Sequence, residues 1–103
     1  MGITLTKVSK DPAEFEGMEP SYSHKLEVFD PKSNTNKFWH IEVYGQYVVR
    51  HHGRHGTKGL WTIHKAWNEW GAQCAATDLY DQKYYKGYRP EVSVLDRIAR
   101  EIG

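Results

Sequence analysis

Two short runs of alternating apolar and polar residues, separated only by Gly45 and Gln46, constrain the fold of this chain more than any other feature. The first run, KFWHIEVY, places an apolar residue at every second position, namely Trp39, Ile41 and Val43. The second run, YVVRHH, begins at Tyr47. A period of two is typical of strands with one buried face, and glycine takes the positive φ that opens a type II′ turn. The pattern therefore predicts an antiparallel β-hairpin.

Further strands are predicted on both sides of this hairpin. The stretch YSHKLEVFD, Tyr22 to Asp30, alternates in the same way and is followed by the loop sequence DPKSNTN. After the hairpin, the stretch LWTIHKAW, Leu60 to Trp67, alternates again. These runs predict an antiparallel β-meander of about four to five strands. Three tryptophans of the meander are expected to lie in the core, namely Trp39, Trp61 and Trp67.

One long helix is predicted after the strands. The sequence GAQCAATDLYDQKYYK, Gly71 to Lys86, contains no proline and repeats small or apolar residues at helical spacing. Asn68 is placed to cap the start of this helix, and Gly87 provides the left-handed residue that commonly follows a helix. A helix with one apolar face packed across one face of an antiparallel sheet defines the α+β fold class.

The chain of 103 residues is long enough for one domain with a modest core, which we place at residues 21–89. Residues 1–20 combine glycine, proline, serine and acids, and are predicted to form a flexible N-terminal arm. Residues 90–103 are predicted to form a C-terminal helical tail with an apolar stripe of Val94, Leu95, Ile98 and Ile102. No run approaches the roughly 18 apolar residues of a membrane span. The single cysteine, Cys74, fits a reducing, cytoplasmic location.

Positive charge is concentrated around the glycine-rich stretch VVRHHGRHGTKGLW, residues 48–61. Residues 37–65 carry five basic side chains against one acid, although the net charge of the whole chain is only +1. Arg54 offers a planar fork suited to phosphate oxygens, and Lys58 adds a point charge. Three imidazoles add charge as the pH falls toward about 6.5, those of His51, His52 and His55. The stretch therefore predicts a turn that binds an anion such as a nucleic-acid backbone.

The histidines also suggest a metal site, because those at positions 40, 51, 52, 55 and 64 lie on neighbouring strands and the turn. However, the chain lacks paired-cysteine and HExxH spacings and the turn holds no acid, so no metal ion or cofactor is predicted. Catalysis has less support still, because the sequence carries no GxSxG, no P-loop and no paired carboxylates in an apolar setting. We therefore predict a non-enzyme that has no small-molecule substrate and does not bind a membrane.

Several short motifs together resemble the WGR domain, a module named for a Trp-Gly-Arg motif. WGR domains occur in poly(ADP-ribose) polymerases, in bacterial regulators and as small stand-alone bacterial proteins. The resemblance spans about residues 23–88 and rests on the order and spacing of NKFW at 36–39, GR at 53–54, GTKG at 56–59 and KYYKGY at 83–88. It implies an antiparallel sheet with a helix packed across it, and a stand-alone protein of the bacterial type.

The sequence departs from the family at one position, since His52 stands where WGR domains have tryptophan. In the polymerases that tryptophan stacks against a sugar at a DNA strand end, and the arginine contacts the DNA backbone. The resemblance implies that Arg54 contacts the DNA backbone in this chain. It also implies that His52 stacks against a sugar only to the extent that an imidazole can. The predicted nucleic-acid interface comprises Lys37, Arg50, His52, Gly53, Arg54, His55 and Lys58.

Two functions remain open from the sequence. The first is a DNA-binding accessory module that uses the turn around Arg54. The second is a protein-interaction module, in which the C-terminal apolar stripe and the basic turn contact a protein partner or a second copy of the chain. Salt-sensitive DNA binding that is lost in an Arg54→Glu variant favours the first. Dimerisation that is lost when Ile98 and Ile102 become polar favours the second.

Overall fold

The computed structural model describes residues 5–90, which form an open antiparallel sheet and one long helix. The strands are β1 (Thr6–Lys7), β2 (Tyr22–Asp30), β3 (Thr35–Tyr44), β4 (Tyr47–Arg54), β5 (Leu60–Lys65) and β6 (Arg89–Pro90). A 3₁₀ helix spans Pro12–Phe15, and helix α1 spans Glu69–Tyr85. The order across the sheet is β1-β5-β4-β3-β2-β6. The predicted α+β class is confirmed, with six strands because two-residue strands extend the meander at both edges.

The β3–β4 hairpin forms where the alternation predicts it. Tyr44 pairs with Tyr47, and Gly45 between them has a φ of 58°. The next connection is a longer turn at residues 55–59, where Gly56 and Gly59 have φ angles of 88° and 75°. L-residues with a Cβ rarely adopt such angles, so the glycines allow the chain to reverse between β4 and β5.

Helix α1 begins and ends close to its predicted limits. The Asn68 side-chain oxygen accepts a hydrogen bond from the Gly71 backbone N–H at 2.8 Å, which caps the first turn. Gly87, with a φ of 106°, follows the last turn. Small residues form the face of α1 that lies on the sheet, namely Gly71, Ala72, Ala75 and Ala76. Because these side chains are short, the helix lies close to the buried residues Leu26, Trp39, Ile41, Val43 and Val48.

The opposite face of the sheet is covered in part by the N-terminal segment. Phe15 is buried, and its ring centre lies 5.0 Å from that of Tyr44 in a stacked arrangement. Val49 and Ile63 complete this second apolar cluster. The Val8 backbone N–H also donates to the Ile63 carbonyl oxygen at 3.0 Å. The described part of the predicted arm is therefore attached to the sheet at several points, and the flexibility of residues 1–20 stays a prediction.

The prediction that three tryptophans lie in the core is correct only for Trp39. Trp39 is 2% exposed, whereas Trp61 is 44% and Trp67 is 86% exposed. Strand β5 ends at Lys65, so Trp67 lies beyond the alternating pattern. Trp61 shares a sheet face with Ile63, but it lies nearer the end of the sheet where the glycine turn stands, and its ring stacks on His51.

Two further predictions concern the C-terminal tail and the absence of a membrane-spanning segment. The apolar stripe of the predicted C-terminal tail lies outside the described residues, and Pro90 belongs to β6. Within residues 5–90, no helix is both long and apolar enough to cross a membrane.

Candidate functional site

A cleft lined by basic and aromatic side chains lies between the end of the β3–β4 ladder and the last turn of α1. The strand register places Lys37 opposite Arg54 and Trp39 opposite His52. These four residues share the helix-bearing face of the sheet, because side chains alternate between the two faces along each strand. The cleft has a volume of about 270 Å³ and is lined by Lys37, Phe38, Trp39, His52, Gly53, Arg54, Lys83 and Tyr88. We call it the cationic cleft.

Lys83 brings a positive charge from α1 into this cleft. Its Nζ lies 5.9 Å from the centre of the Trp39 ring and 5.1 Å from that of Tyr88, within the range of cation–π contacts. The Tyr88 backbone N–H donates to the Lys83 carbonyl oxygen at 3.1 Å, which holds the chain after α1 against the helix end. Burial lowers the pKa of Lys83, and the nearby charges of Lys86, Arg50 and Lys37 lower it further.

His52 experiences the same excess of positive charge. Burial lowers the pKa of His52 below its ordinary value of 6.5, and the charges of Lys83, Arg50 and His51 add to the effect. The lowered pKa favours the neutral form of His52 in the free protein. His52 therefore binds a proton at a lower pH than a histidine of ordinary pKa does. An anion in the cleft would offset the surrounding positive charge and reverse this effect.

Arg50 lies two residues before His52 on the same face of β4, opposite Ile41. Its Nη2 donates to Nδ1 of His64 at 3.2 Å. An arginine can only donate, so Nδ1 of His64 must carry a lone pair. Burial followed by the charges of Arg50 and Lys7 lowers the pKa of His64, in agreement with that neutral form. Burial also lowers the pKa of Arg50, and its Nε is buried with no hydrogen-bond partner among residues 5–90.

Arg54 is an exposed cation that lines the cleft. One of its guanidinium nitrogens, Nη2, donates to the Asn34 side-chain oxygen at 3.3 Å. Its carbonyl oxygen accepts from the Thr57 hydroxyl at 2.7 Å and from the Thr57 backbone N–H at 3.1 Å. The backbone of Arg54 is thus fixed by the turn, while most donors of its guanidinium face solvent and can bind an anion.

Acidic side chains do not neutralise this group of cations within the described part of the chain. No acidic side chain is among the described residues that line the cleft, and the ion pairs Lys10–Glu14 and His55–Glu27 lie outside it. Burial is the larger cause of the lowered pKa values of Lys83 and His52, basic neighbours lower them further, and no carboxylate offsets this effect. The cleft is consequently a region of positive potential, which attracts anions.

Three of the seven predicted interface residues do not line the cleft, namely Arg50, His55 and Lys58. His55 is on the opposite side of the sheet, where its Nε2 lies 3.5 Å from a Glu27 carboxylate oxygen. Lys58 lies in the exposed turn, and its carbonyl oxygen accepts a hydrogen bond from Nε2 of His51 at 2.7 Å. The turn therefore does not gather all its cations into one site, because alternation along β4 sends successive side chains to opposite faces.

At Gly53 and Gly59, two backbone segments approach each other closely. A Cβ on Gly53 would lie 2.8 Å from the Gly59 Cα, and one on Gly59 would lie 2.6 Å from the His52 carbonyl oxygen. Both distances are shorter than van der Waals contact, so any side chain here would displace the turn. These glycines hold the turn against the end of β4 and thereby position His52 and Arg54.

The histidines do not form a metal site within residues 5–90. No group of three metal-ligating side chains converges in this part of the chain. His51 uses Nε2 in the hydrogen bond to Lys58, and its ring stacks on Trp61 with the ring centres 3.9 Å apart.

Four cleft residues were missed by the sequence prediction, namely Phe38, Trp39, Lys83 and Tyr88. Lys83 and Tyr88 stand in the KYYKGY motif at residues 83–88. Their contribution to the cleft depends on how the end of α1 meets β3 and β4. The indole of Trp39 lies beside the buried core and also forms a wall of the cleft, so the expectation of a core residue describes only part of its position.

The described residues form an α+β module with a cleft that is rich in basic side chains. The model of the WGR domain family matches residues 22–94, and the chain belongs to this family. WGR domains are non-catalytic modules, and in poly(ADP-ribose) polymerases they bind nucleic acid.

Among solved structures, the chain is similar to the crystal structure of a Bacteroides fragilis protein from a structural genomics consortium, with 29% sequence identity and a TM-score of 0.64. The match covers 78% of this chain but only 21% of the Bacteroides protein. No curated protein is significantly similar to the chain.

Proposed function

We propose that this chain is a non-catalytic module that binds nucleic acid, DNA in the first place, by holding the sugar–phosphate backbone in the cationic cleft. The observation that carries the proposal is the convergence of Lys37, Arg54 and Lys83 on one small cleft without a neutralising acid among the described residues. Arg50 adds a fourth charge beneath them, close enough to lower the pKa values of His52 and Lys83.

A phosphate group relieves the electrostatic cost of this arrangement. Burying several like charges together is unfavourable, as the lowered pKa values of Lys83 and His52 indicate. A bound polyanion supplies the missing counter-charge and favours the protonated form of His52. By linkage, the pKa of His52 rises on binding, so affinity should increase as the pH falls below about 6.5.

Two partly exposed rings of the cleft, those of Tyr88 and His52, suit a sugar or base next to the phosphate. Trp39 is buried and supports the cleft from the core, and His52 occupies the position where the family has its tryptophan. Stacking on an aromatic ring contributes about 1–3 kcal/mol per base. An imidazole offers less area than an indole, so we expect His52 to support backbone binding with less preference for a strand end than the family's tryptophan provides.

The test is fluorescence anisotropy of labelled DNA as a blunt duplex, a 5′-phosphorylated nick and a single strand, at about 50 mM and 200 mM salt. With four cations in contact with phosphates, a plot of log affinity against log salt concentration should have a slope no steeper than about −3.6. Affinity should therefore fall roughly 100-fold between the two salt concentrations. Arg54→Glu and the double variant Lys37→Gln/Lys83→Gln should each lower affinity at least tenfold.

Two control variants distinguish the cleft from general surface charge. Lys25→Gln removes an exposed lysine on the opposite sheet face and should leave affinity within twofold of wild type. Lys58→Gln removes the turn lysine that lies outside the cleft, and should reduce affinity less than Lys37→Gln/Lys83→Gln does. Equal losses for the Lys25 and cleft variants, or no binding to any of the three DNAs at the lower salt, would refute the proposal.

A further inference from the structure

Two tryptophans at the start of α1 are almost fully exposed, at the end of the domain opposite the cationic cleft. Trp67 is 86% and Trp70 is 70% exposed, on either side of the capping residue Asn68. Trp70 and Lys83 are separated by about 20 Å along the helix axis. Exposed tryptophans close together on a small domain are a common mark of a surface that binds another molecule.

Trp70 belongs to a groove of about 380 Å³ that runs beside the helix. The groove is lined by Tyr22, Trp70, Gln73, Cys74, Thr77 and Asp78. The α1 members lie at the spacing i, i+3, i+4, i+7 and i+8, which forms one continuous stripe next to the sheet-facing side of the helix. An amphipathic helix can place its apolar side chains along such a stripe.

The charge of this groove is acidic, in contrast to the cationic cleft. Glu69 precedes Trp70, Asp78 lines the groove, and Asp81 is near enough to Tyr22 to raise its pKa, although burial of Tyr22 is the larger cause. No basic residue is among the six that line the groove. A nucleic acid is therefore repelled here, whereas a segment with a basic polar face is attracted.

We propose that the groove beside Trp70 docks a protein partner through an amphipathic helix whose polar face is basic. The chain's own C-terminal residues 91–103 are a poorer match, because they carry three acids against two arginines. The proposal is independent of DNA binding and gives the module two ends: a cationic cleft for a polyanion and an acidic, tryptophan-bearing groove for a protein helix.

The probe is a fluorescein-labelled peptide of about 14 residues, with leucine at heptad a and d positions and lysine elsewhere. Its matched control carries glutamine in place of lysine. Anisotropy with the full chain should show at least tenfold tighter binding of the lysine peptide. Trp70→Ser should weaken that binding about tenfold, and Asp78→Asn/Asp81→Asn should remove the preference for lysine over glutamine.

The control variant is Tyr85→Ser, which removes another exposed aromatic residue, 87% exposed at the far end of α1, and should bind the lysine peptide as wild type does. Trp70→Ser should also keep its thermal midpoint and its DNA affinity, which separates this surface from the cleft. No lysine-peptide binding at low salt, equal binding of the two peptides, or an unchanged Trp70→Ser variant would overturn the proposal. A wild-type dimer that Trp70→Ser dissociates would assign the groove to a second copy and overturn it as well.

Discussion

The Lys83 ammonium group lies 5.9 Å from the centre of the Trp39 ring, so the last turn of α1 meets strand β3 at the wall of the cationic cleft. This contact joins residues that are far apart in the sequence. It places a helix cation beside His52 and thereby lowers the pKa of that histidine, second only to burial.

Replacing Lys83 by glutamine should raise the pKa of His52 toward 6.5, because it removes the largest of the charges that lower it. NMR titration of the histidine ring protons measures this pKa directly. Lys25→Gln, on the opposite sheet face, should leave the His52 titration unchanged. An identical His52 titration in wild type and Lys83→Gln would show that the two groups do not interact.

Stability should decrease as the pH falls below about 6.5. The folded-state pKa values of His52 and His64 are both lowered from 6.5. The unfolded chain therefore binds more protons in this range, so the free energy of unfolding falls from about pH 6.5 down through the folded-state pKa values. Above pH 6.5 this contribution to stability is fully present.

Urea unfolding at pH 7.5, 6.5 and 5.5 tests this pH dependence. The double variant His52→Gln/His64→Gln should show a smaller loss of stability between the upper and lower pH, because glutamine does not titrate and its oxygen can still accept from Arg50. Equal losses in the variant and the wild type would assign the pH dependence to other groups.

Arg50→Met should weaken DNA binding without unfolding the domain. Methionine keeps much of the apolar stem while removing a charge whose Nε is buried with no partner among residues 5–90. Loss of the hydrogen bond to His64 should destabilise the fold by about 1 kcal/mol, and removal of the buried guanidinium should stabilise it by about the same amount. We therefore expect the free energy of unfolding to change by less than about 1 kcal/mol. Affinity should fall severalfold in the anisotropy assay. A variant destabilised by several kcal/mol would instead make Arg50 a structural residue.

Phe15→Ala should destabilise the domain by about 3 kcal/mol, since it removes a buried ring that packs on Tyr44. Met18→Ala is the matched control, because Met18 is in the same segment but 51% exposed, and its unfolding free energy should stay within about 0.5 kcal/mol of wild type. Both values come from urea unfolding. If both variants are as stable as wild type, residues 1–20 act as the flexible arm that the sequence predicted.

The strands and the helix were predictable because their signals are local. Alternation along Trp39, Ile41 and Val43, and the caps at Asn68 and Gly87, depend on residues next to each other in the chain. The burial of Phe15 was not predictable in this way. Glycine, proline and acids around it are typical of a loop, and only the fold shows that its ring reaches the uncovered face of the sheet.

The candidate site was predictable only in part. The strand pattern and the WGR resemblance together selected Lys37, His52 and Arg54, which the cleft brings together. His55 was included because it is close in sequence, yet alternation along β4 and the turn takes it to the opposite face. To predict that Lys83 belongs to the cleft, one must know how α1 crosses the sheet, and no local sequence pattern gives this information.

The location of the bound nucleic acid is the central claim, and an amide chemical-shift titration of the ¹⁵N-labelled chain with a short DNA duplex tests it most directly. We expect the largest saturable shifts at His52, Gly53, Arg54, Lys83 and Tyr88, with little change at Trp67 and Trp70. Largest shifts at those two tryptophans, or no saturable shifts at about 50 mM salt, would contradict the assignment of the cationic cleft as the nucleic-acid interface.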